Sequence, residues 1–123
     1  MEDEAPLLVI IDGANVVGSR PDGWWRDRRG AAERLRDRLA EQGLPGRPTP
    51  VELVLVVEGS ARGVASVPGV RVESAPGSGD DRIVELAAED PGRPRLVVTA
   101  DRELRGRVAE LGAEVMGPSA LLR

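Results

Sequence analysis

The sequence predicts an α/β fold: a three-layer α/β/α sandwich around a mostly parallel, five-stranded, Rossmann-like sheet. Two observations carry that expectation. Apolar runs of strand length, LLVII (7–11), VELVLVV (51–57) and RLVVT (95–99), alternate with segments of helical periodicity, which implies right-handed crossovers and parallel pairing. The runs are also near-continuous rather than alternating, so both faces of the sheet should be covered. A chain of 123 residues suits one domain over 1–123.

Each element has its own signal. LLVII is the first strand. DRRGAAERLRDRLAEQG (27–43) reads as a helix, with Ala31, Ala32, Leu35 and Leu39 on one face and Gly43 to end it. LPGRPTP (44–50) is a loop. VELVLVV (51–57) is the second strand and VRVES (70–74) a weaker third. APGSGD (75–80) is a turn-rich connection. DDRIVELAAED (80–90) places Ile83, Val84, Ala87 and Ala88 at helical spacing, with two acids suited to a positive helix start. RLVVT (95–99) is the fourth strand. DRELRGRVAELG (101–112) is a helix with Leu104, Val108 and Leu111 on one face and Gly112 as terminator. AEVMG (113–117) is a short fifth strand, and PSALLR follows it.

Missing residue types narrow the chemistry. The chain has no His, Cys, Lys or Tyr. That removes thiol nucleophiles, Schiff-base lysines, Ser-His triads, His or Cys zinc sites and the P-loop lysine. An enzyme built from this chain must use carboxylates, hydroxyls, Asn, Arg, backbone amides or a hard metal ion. The acidic start MEDEAP lacks the basic region of a signal peptide, and no apolar run is long enough to span a membrane. With zero cysteines, the expected setting is the cytoplasm. The net charge of −4 argues mildly against a nucleic-acid partner, yet four acids in one metal site would account for the whole excess.

Acids stand where a ligand site is expected. LLVIIDGAN, VLVVEGSA and RLVVTADRE each carry a strand into an acid: Asp12, Glu58 and Asp101. In a parallel sheet the C-terminal ends of the strands share one edge, and ligands of open α/β sheets bind there. GSGDD adds Asp80 and Asp81 at a helix start. Converging carboxylates repel, and protonation or a cation relieves the repulsion. Oxygen-only donors suit Mg²⁺ or Mn²⁺, and a pair of such ions can serve phosphodiester displacement. The plain alternative is that each acid caps or charges the start of a helix, with Glu58 a solvated loop residue.

IIDGANVV resembles the DGxN signature that opens NYN domains, the nuclease branch of the PIN-like superfamily. GSGDDRIVEL is similar to the family segment in which an acid begins a helix and a large apolar residue follows three positions later, here Asp80 and Ile83. VVTADREL resembles the (T/S)xD segment after the fourth strand. The resemblance covers nearly the whole chain and is nearest to the small bacterial stand-alone members. It implies that Asp12, Asp80 and Asp101 bind metal, with Asp81 participating. It implies that Asn15 orients Asp12 or contacts phosphate, and that Thr99 supplies a supporting or phosphate-contacting hydroxyl. Glu58 is a further candidate, although many PIN relatives carry their additional acid on a helix. The activity implied is that of a Mg²⁺- or Mn²⁺-dependent endoribonuclease on single-stranded or structured RNA, and Asp12, Asp80, Asp101 and Asn15 form the expected catalytic set.

Other segments add candidates. SRPDGWWRDRR (19–29) combines Trp24 and Trp25 with Arg20, Arg26, Arg28 and Arg29. It reads as a stacking surface beside phosphate-binding arginines, or as a stapled loop and a solvated helix face. Ser78 and the glycines of GSGDD offer an anion nest or only a tight turn. Arg102 either contacts phosphate or balances the acids. Two competing functions share these features: a nucleotide or phosphate-ester hydrolase using the same acids, and a non-catalytic PIN-like module that binds RNA or protein. The edge strands leave room for a homodimer, and the acidic total leaves room for a partner protein that supplies RNA affinity.

Overall fold

A computed structural model describes residues 6–20, 23–46 and 50–121. Within the loop expected at 44–50, residues 47–49 lie outside that description, as do the chain ends in MEDEAP and PSALLR. The chain order is β1 (Leu7–Asp12), α1 (Gly13–Gly18), α2 (Arg28–Gln42), β2 (Val51–Val57), β3 (Val70–Ser74), α3 (Gly79–Glu89), β4 (Arg95–Val98), α4 (Arg102–Glu110), β5 (Glu114–Met116) and α5 (Pro118–Leu121). Single 3₁₀ turns occupy Trp24–Arg26 and Gly59–Ala61. The five strands form one sheet in the order β3-β2-β1-β4-β5, and every pairing is parallel. This arrangement is consistent with a PIN-like, Rossmann-like fold. Among the described residues no helix is long and apolar enough to cross a membrane.

The period-2 geometry of a strand divides the apolar runs between two layers. Val9 and Ile11 of β1, with Leu53, Leu55 and Val57 of β2, pack against Val16 of α1 and Ala32, Leu35 and Leu39 of α2. The intervening residues Leu8, Ile10, Val54 and Val56 face Ile83, Leu86 and Ala87 of α3 and Leu104 and Val108 of α4. That is why the runs are continuous: each residue meets a helix on one side or the other.

The strands at 51–57 and 70–74 have the bounds read from the sequence, and the other expected elements differ by a residue or two at their ends. Three features differ more. A one-and-a-half-turn helix, α1, follows β1 without a loop. Its six residues carry too little periodicity to announce it. The β2–β3 crossover has no regular α-helix: the Gly59–Ala61 turn and the chain behind it send Ala61 and Val64 into the α1–α2 layer. Two arginines of α2 hold this crossover by its carbonyls. Arg29 donates to the Arg62 and Gly63 oxygens at 2.9 and 3.1 Å, and Arg36 donates to the Ala65 oxygen at 3.0 Å. Residues 118–121 form the short α5, and Leu121 is fully buried.

Gly13 makes the direct strand-to-helix passage sterically possible. A Cβ on it would stand 2.5 Å from the carbonyl oxygen of Val56 and 3.2 Å from Leu55 Cδ1. Backbone cannot retreat as a flexible side chain can, so only glycine lets the start of α1 lie on the end of β2.

Arg95, at the start of β4, is only 5% exposed. Its guanidinium donates to carbonyls: Nε to Arg93, Nη1 to Ala87, and Nη2 to Leu111 at 2.7 Å and Pro91 at 3.3 Å. The Ala87 contact has a specific cause. In α3 the donor for that carbonyl would be the N–H four residues on, and residue 91 is proline, which has none. Arg95 supplies the missing proton and also takes up the carbonyl at the end of α4. The positive charge sits well at two helix C-termini.

Two stability outcomes follow from this packing. Arg95→Leu leaves buried carbonyls without donors and should cost about 2–4 kcal/mol. Lysine, a single point donor, should restore only part of the loss. Gly13→Ala should cost about 1–3 kcal/mol by overpacking. Urea denaturation of each variant beside the parent measures both, and a midpoint unchanged in Arg95→Leu would show that the cage contributes nothing.

Candidate active site

The strand order reverses between β1 and β4: from β1 the chain builds outward through β2 and β3, then returns to start again beside β1 with β4. A crevice opens at the C-terminal ends of two strands whose connections leave in opposite directions. Asp12 ends β1 there, and Thr99, Ala100 and Asp101 follow β4.

Hydrogen bonds close this switch point. Thr99 Oγ1 donates to Asp12 Oδ2 at 2.9 Å and accepts from the Asp101 amide at 3.1 Å. The Asn15 amide donates to Asp12 Oδ1 at 3.3 Å, which makes Asp12 the N-cap of α1. The Asn15 side chain reaches across the crevice, where its Oδ1 accepts from the Ala100 amide at 2.8 Å. Asp12 is therefore oriented by the Thr99 hydroxyl and the Asn15 backbone, while the Asn15 side chain ties α1 to the loop after β4. Asp101 caps α4, accepting from the Leu104 amide at 2.9 Å. The capping alternative thus describes Asp12 and Asp101 correctly, but each cap uses only part of a carboxylate's acceptor capacity.

The remaining acids gather opposite. Asp80 lies in the first turn of α3, which Ser78 caps by accepting from the Asp81 amide at 3.3 Å. Glu58 follows β2 and leans on the same helix start: a Cβ on Gly79 would be 2.8 Å from its Oε1. Nothing in VVEGSA signals that contact, because it depends on which helix lies beside the strand end. Asp81 turns toward α4, where Arg107 Nη2 stands 3.2 Å from its Oδ1, and its side chain is largely exposed. Arg107 is absent from the sequence-based candidates. It sits on a helix face six residues past Asp101, with no motif around it.

Burial, with some repulsion from neighbouring acids, raises two of the carboxyls, those of Asp12 and Asp80. Burial pushes the Asp12 carboxyl up to about 6, with Asp80 and Glu58 adding to the rise and the Thr99 and Asn15 hydrogen bonds opposing it. Asp80 is raised first by burial, then by Asp101 and Glu58, with Arg107 pulling the other way. Asp80 and Glu58 are thus near enough for Asp12 to feel them, and Asp101 and Glu58 near enough for Asp80 to do so. Among the described residues, however, no three acids stand near enough together to hold a metal ion as they lie. The donor chemistry fits a hard divalent cation, since the acidic side chains offer oxygens only.

The tryptophan segment flanks the crevice on the α1 side. Trp24 and Trp25 meet edge to face with centroids 6.1 Å apart. Arg28 lies 5.3 Å from the Trp24 ring and Arg26 lies 5.8 Å from the Trp25 ring. Trp25 is 55% exposed, whereas Trp24 is half-buried. Arg20 lines a second groove of about 200 Å³ with Arg34 and Arg38 between α1 and α2. Arg102 is exposed beside Asp101, and Arg29 is used in the β2–β3 crossover.

The fold and this edge define a class: an all-parallel, Rossmann-like α/β sheet with acids at its switch point. No protein-family model matches the chain, and no curated protein matches it. Among solved structures, it is similar to the crystal structure of Rae1 (YacP) from Bacillus subtilis, with a TM-score of 0.73 and 22% sequence identity over 94% of this chain and 72% of that one. At that identity the likeness establishes the fold.

The raised Asp12 carboxyl gives a signed pH effect. Its folded value of about 6 exceeds its ordinary 3.8, so the folded protein holds the proton more tightly than the unfolded chain does. This group's contribution to stability is greatest below about pH 4 and falls as pH rises through 6. Asp12→Asn removes that cost and should stabilise the metal-free protein at pH 7 by up to about 3 kcal/mol, with the gain shrinking toward pH 4. Thermal melts of both proteins across this range test it. A destabilised Asn variant at pH 7 would mean that the charged form is favoured in the fold.

Proposed function

We propose that the protein is a metal-dependent nuclease, acting on RNA in the cytoplasm as an endoribonuclease. One observation carries the reading: β1 and β4 are neighbours, so Asp12 and Asp101 flank one switch-point crevice, where the Thr99 hydroxyl bonds the Asp12 carboxylate and the Asp101 amide, with Asp80 and Glu58 near by. The PIN-like fold and the resemblance of IIDGANVV, GSGDDRIVEL and VVTADREL to NYN-domain segments support the assignment.

Asp12, Asp80 and Asp101, joined by Glu58, would hold Mg²⁺ or Mn²⁺. A bound ion of this kind supplies a lowered water pKa and positive charge against phosphoryl oxygens. The chain's own part is positional. Thr99 fixes the Asp12 carboxylate. Asn15 fixes the loop that carries Asp101. Arg107, paired with Asp81, tempers the repulsion at Asp80. The reaction is a hydrolysis: a water oxygen bonds to phosphorus, the bond to the leaving sugar oxygen breaks, and a proton ends on that oxygen. No covalent enzyme intermediate is required, which suits a chain without Cys or His. Arg102, exposed beside Asp101, and Ser78, at the start of α3, would contact the phosphate backbone.

The open spacing of the acids favours one alternative, a PIN-like module that binds RNA or protein without turning it over. Incubation with single-stranded RNA, single-stranded DNA and nucleoside triphosphates, in Mn²⁺ and in EDTA, separates these readings. The nuclease reading expects RNA cleavage that EDTA abolishes. Thr99→Val should slow it by roughly 10- to 100-fold, as expected for a group that orients a ligand, and Asp12→Asn or Asp101→Asn by at least as much. Phosphate release from nucleotides alone would make the protein a small-phosphate hydrolase. Metal-independent RNA binding without turnover would make it a binding module.

A further inference from the structure

A groove of about 300 Å³ adjoins the acidic crevice, between α1, the Trp24–Arg26 turn, α2 and the Gly59–Ala61 turn. Gly13, Ala14, Gly59 and Ala61 are among its lining residues, so part of its wall carries no long side chain. Its polar groups are few: Trp24, Arg28 and Glu58. Two of its residues belong to the site itself, because Gly13 follows Asp12 directly and Glu58 reaches the start of α3. The groove is therefore the lateral continuation of the crevice.

Resting on the nuclease reading, we propose that this groove is a base slot: it receives the nucleobase next to the scissile phosphate, with Trp24 as its stacking wall. Three features suit a nucleobase. Small residues leave room for a flat ring. Trp24 is half-buried against α1, with its Cζ2 only 3.6 Å from where a Cβ on Gly18 would lie, so the wall is held in place. Arg28, 5.3 Å from the Trp24 centroid, presents a planar cation that stacks on bases as well as on indole. Trp25 stands edge-on to Trp24 and mostly in solvent, so the two rings are not equivalent.

The charge distribution points the same way. Many arginines are engaged within the fold: Arg29, Arg36 and Arg95 on carbonyls, and Arg71, Arg82 and Arg93 on Glu52 and Glu73. With a net charge of −4, broad phosphate neutralisation is a poor source of affinity. Stacking on an aromatic wall is largely independent of net charge.

The chain contains no Tyr, so in Trp25→Phe the emission reports on Trp24 alone. This variant is titrated in EDTA with a nuclease-resistant 2′-O-methyl RNA hexamer, then with hexamers made abasic at one position at a time. The slot requires saturable quenching of Trp24, loss of that quenching at one abasic position, and an affinity about tenfold or more weaker there. Trp24→Leu in the parent should weaken binding, read by anisotropy of a labelled hexamer, to a similar degree. Trp24→Phe should recover part of it, which separates stacking from misfolding. The salt dependence should be shallow, with a slope corresponding to only one or two phosphates. Hexamer binding without Trp24 quenching, quenching indifferent to every abasic position, or no hexamer binding at all overturns the slot. The readout involves no cleavage. A protein that cleaves RNA without Trp24 quenching defeats the slot alone, and one that binds through Trp24 without cleaving in any metal defeats the nuclease reading alone.

Discussion

The structure turns on a single hydrogen bond, from the Thr99 hydroxyl to the buried Asp12 carboxylate. A carboxylate at the end of a fully buried strand is costly unless something answers it. β1 is the central strand, flanked by β2 and β4. Its C-terminal end therefore lies between the two halves of the sheet. Thr99 comes from the second half, and its oxygen also accepts from the Asp101 amide. One hydroxyl thus joins the Asp12 carboxylate of the first half to the Asp101 backbone amide of the second. The Asn15 bond to Ala100 runs parallel to it. The switch point is a crevice whose walls are tied together at its base.

Much of this was legible in the sequence because burial on both faces writes itself as an unbroken apolar run. LLVII, VELVLVV and RLVVT could hardly be anything else at that length, and helical spacing placed α2, α3 and α4. What stayed hidden depends on neighbours far along the chain. α1 is too short to show a period, and its cap is the residue already noticed for its charge. Glu58 could be placed at a strand end but not against Gly79, because that contact needs β2 and α3 side by side. Arg95 reads as the ordinary first residue of a strand. Only the packing of two helix ends around it reveals the carbonyl cage. The three motif acids were readable by position, while the division of labour between Thr99 and Asn15 was not, since both are small polar residues one turn or loop from an acid.

The all-arginine basic complement has a structural use beyond charge. A guanidinium can donate in several directions at once, and here it repeatedly meets backbone carbonyls in places where regular secondary structure is missing. Arg29 and Arg36 hold a crossover that lacks a regular helix, and Arg95 compensates for a proline. Lysine could not span these groups.

The place of β1 at the centre of the sheet has a consequence for how the chain folds. β1, β2 and β3 lie in the first 74 residues and can pair as a half-sheet as the chain is made. β1 then still exposes one edge, and Asp12 still lacks its hydroxyl partner. Both are supplied by a segment 87 residues downstream of Asp12. Long-range parallel pairing of this kind forms slowly because the loop must close before the contact gives anything back. A half-sheet formed in this way would carry an open edge, and an unpaired edge is where chains join one another. A charge at the end of that edge strand matters before the sheet is complete. While β4 is still absent, it would keep the strand's end hydrated and discourage the same strand of another chain from taking its place.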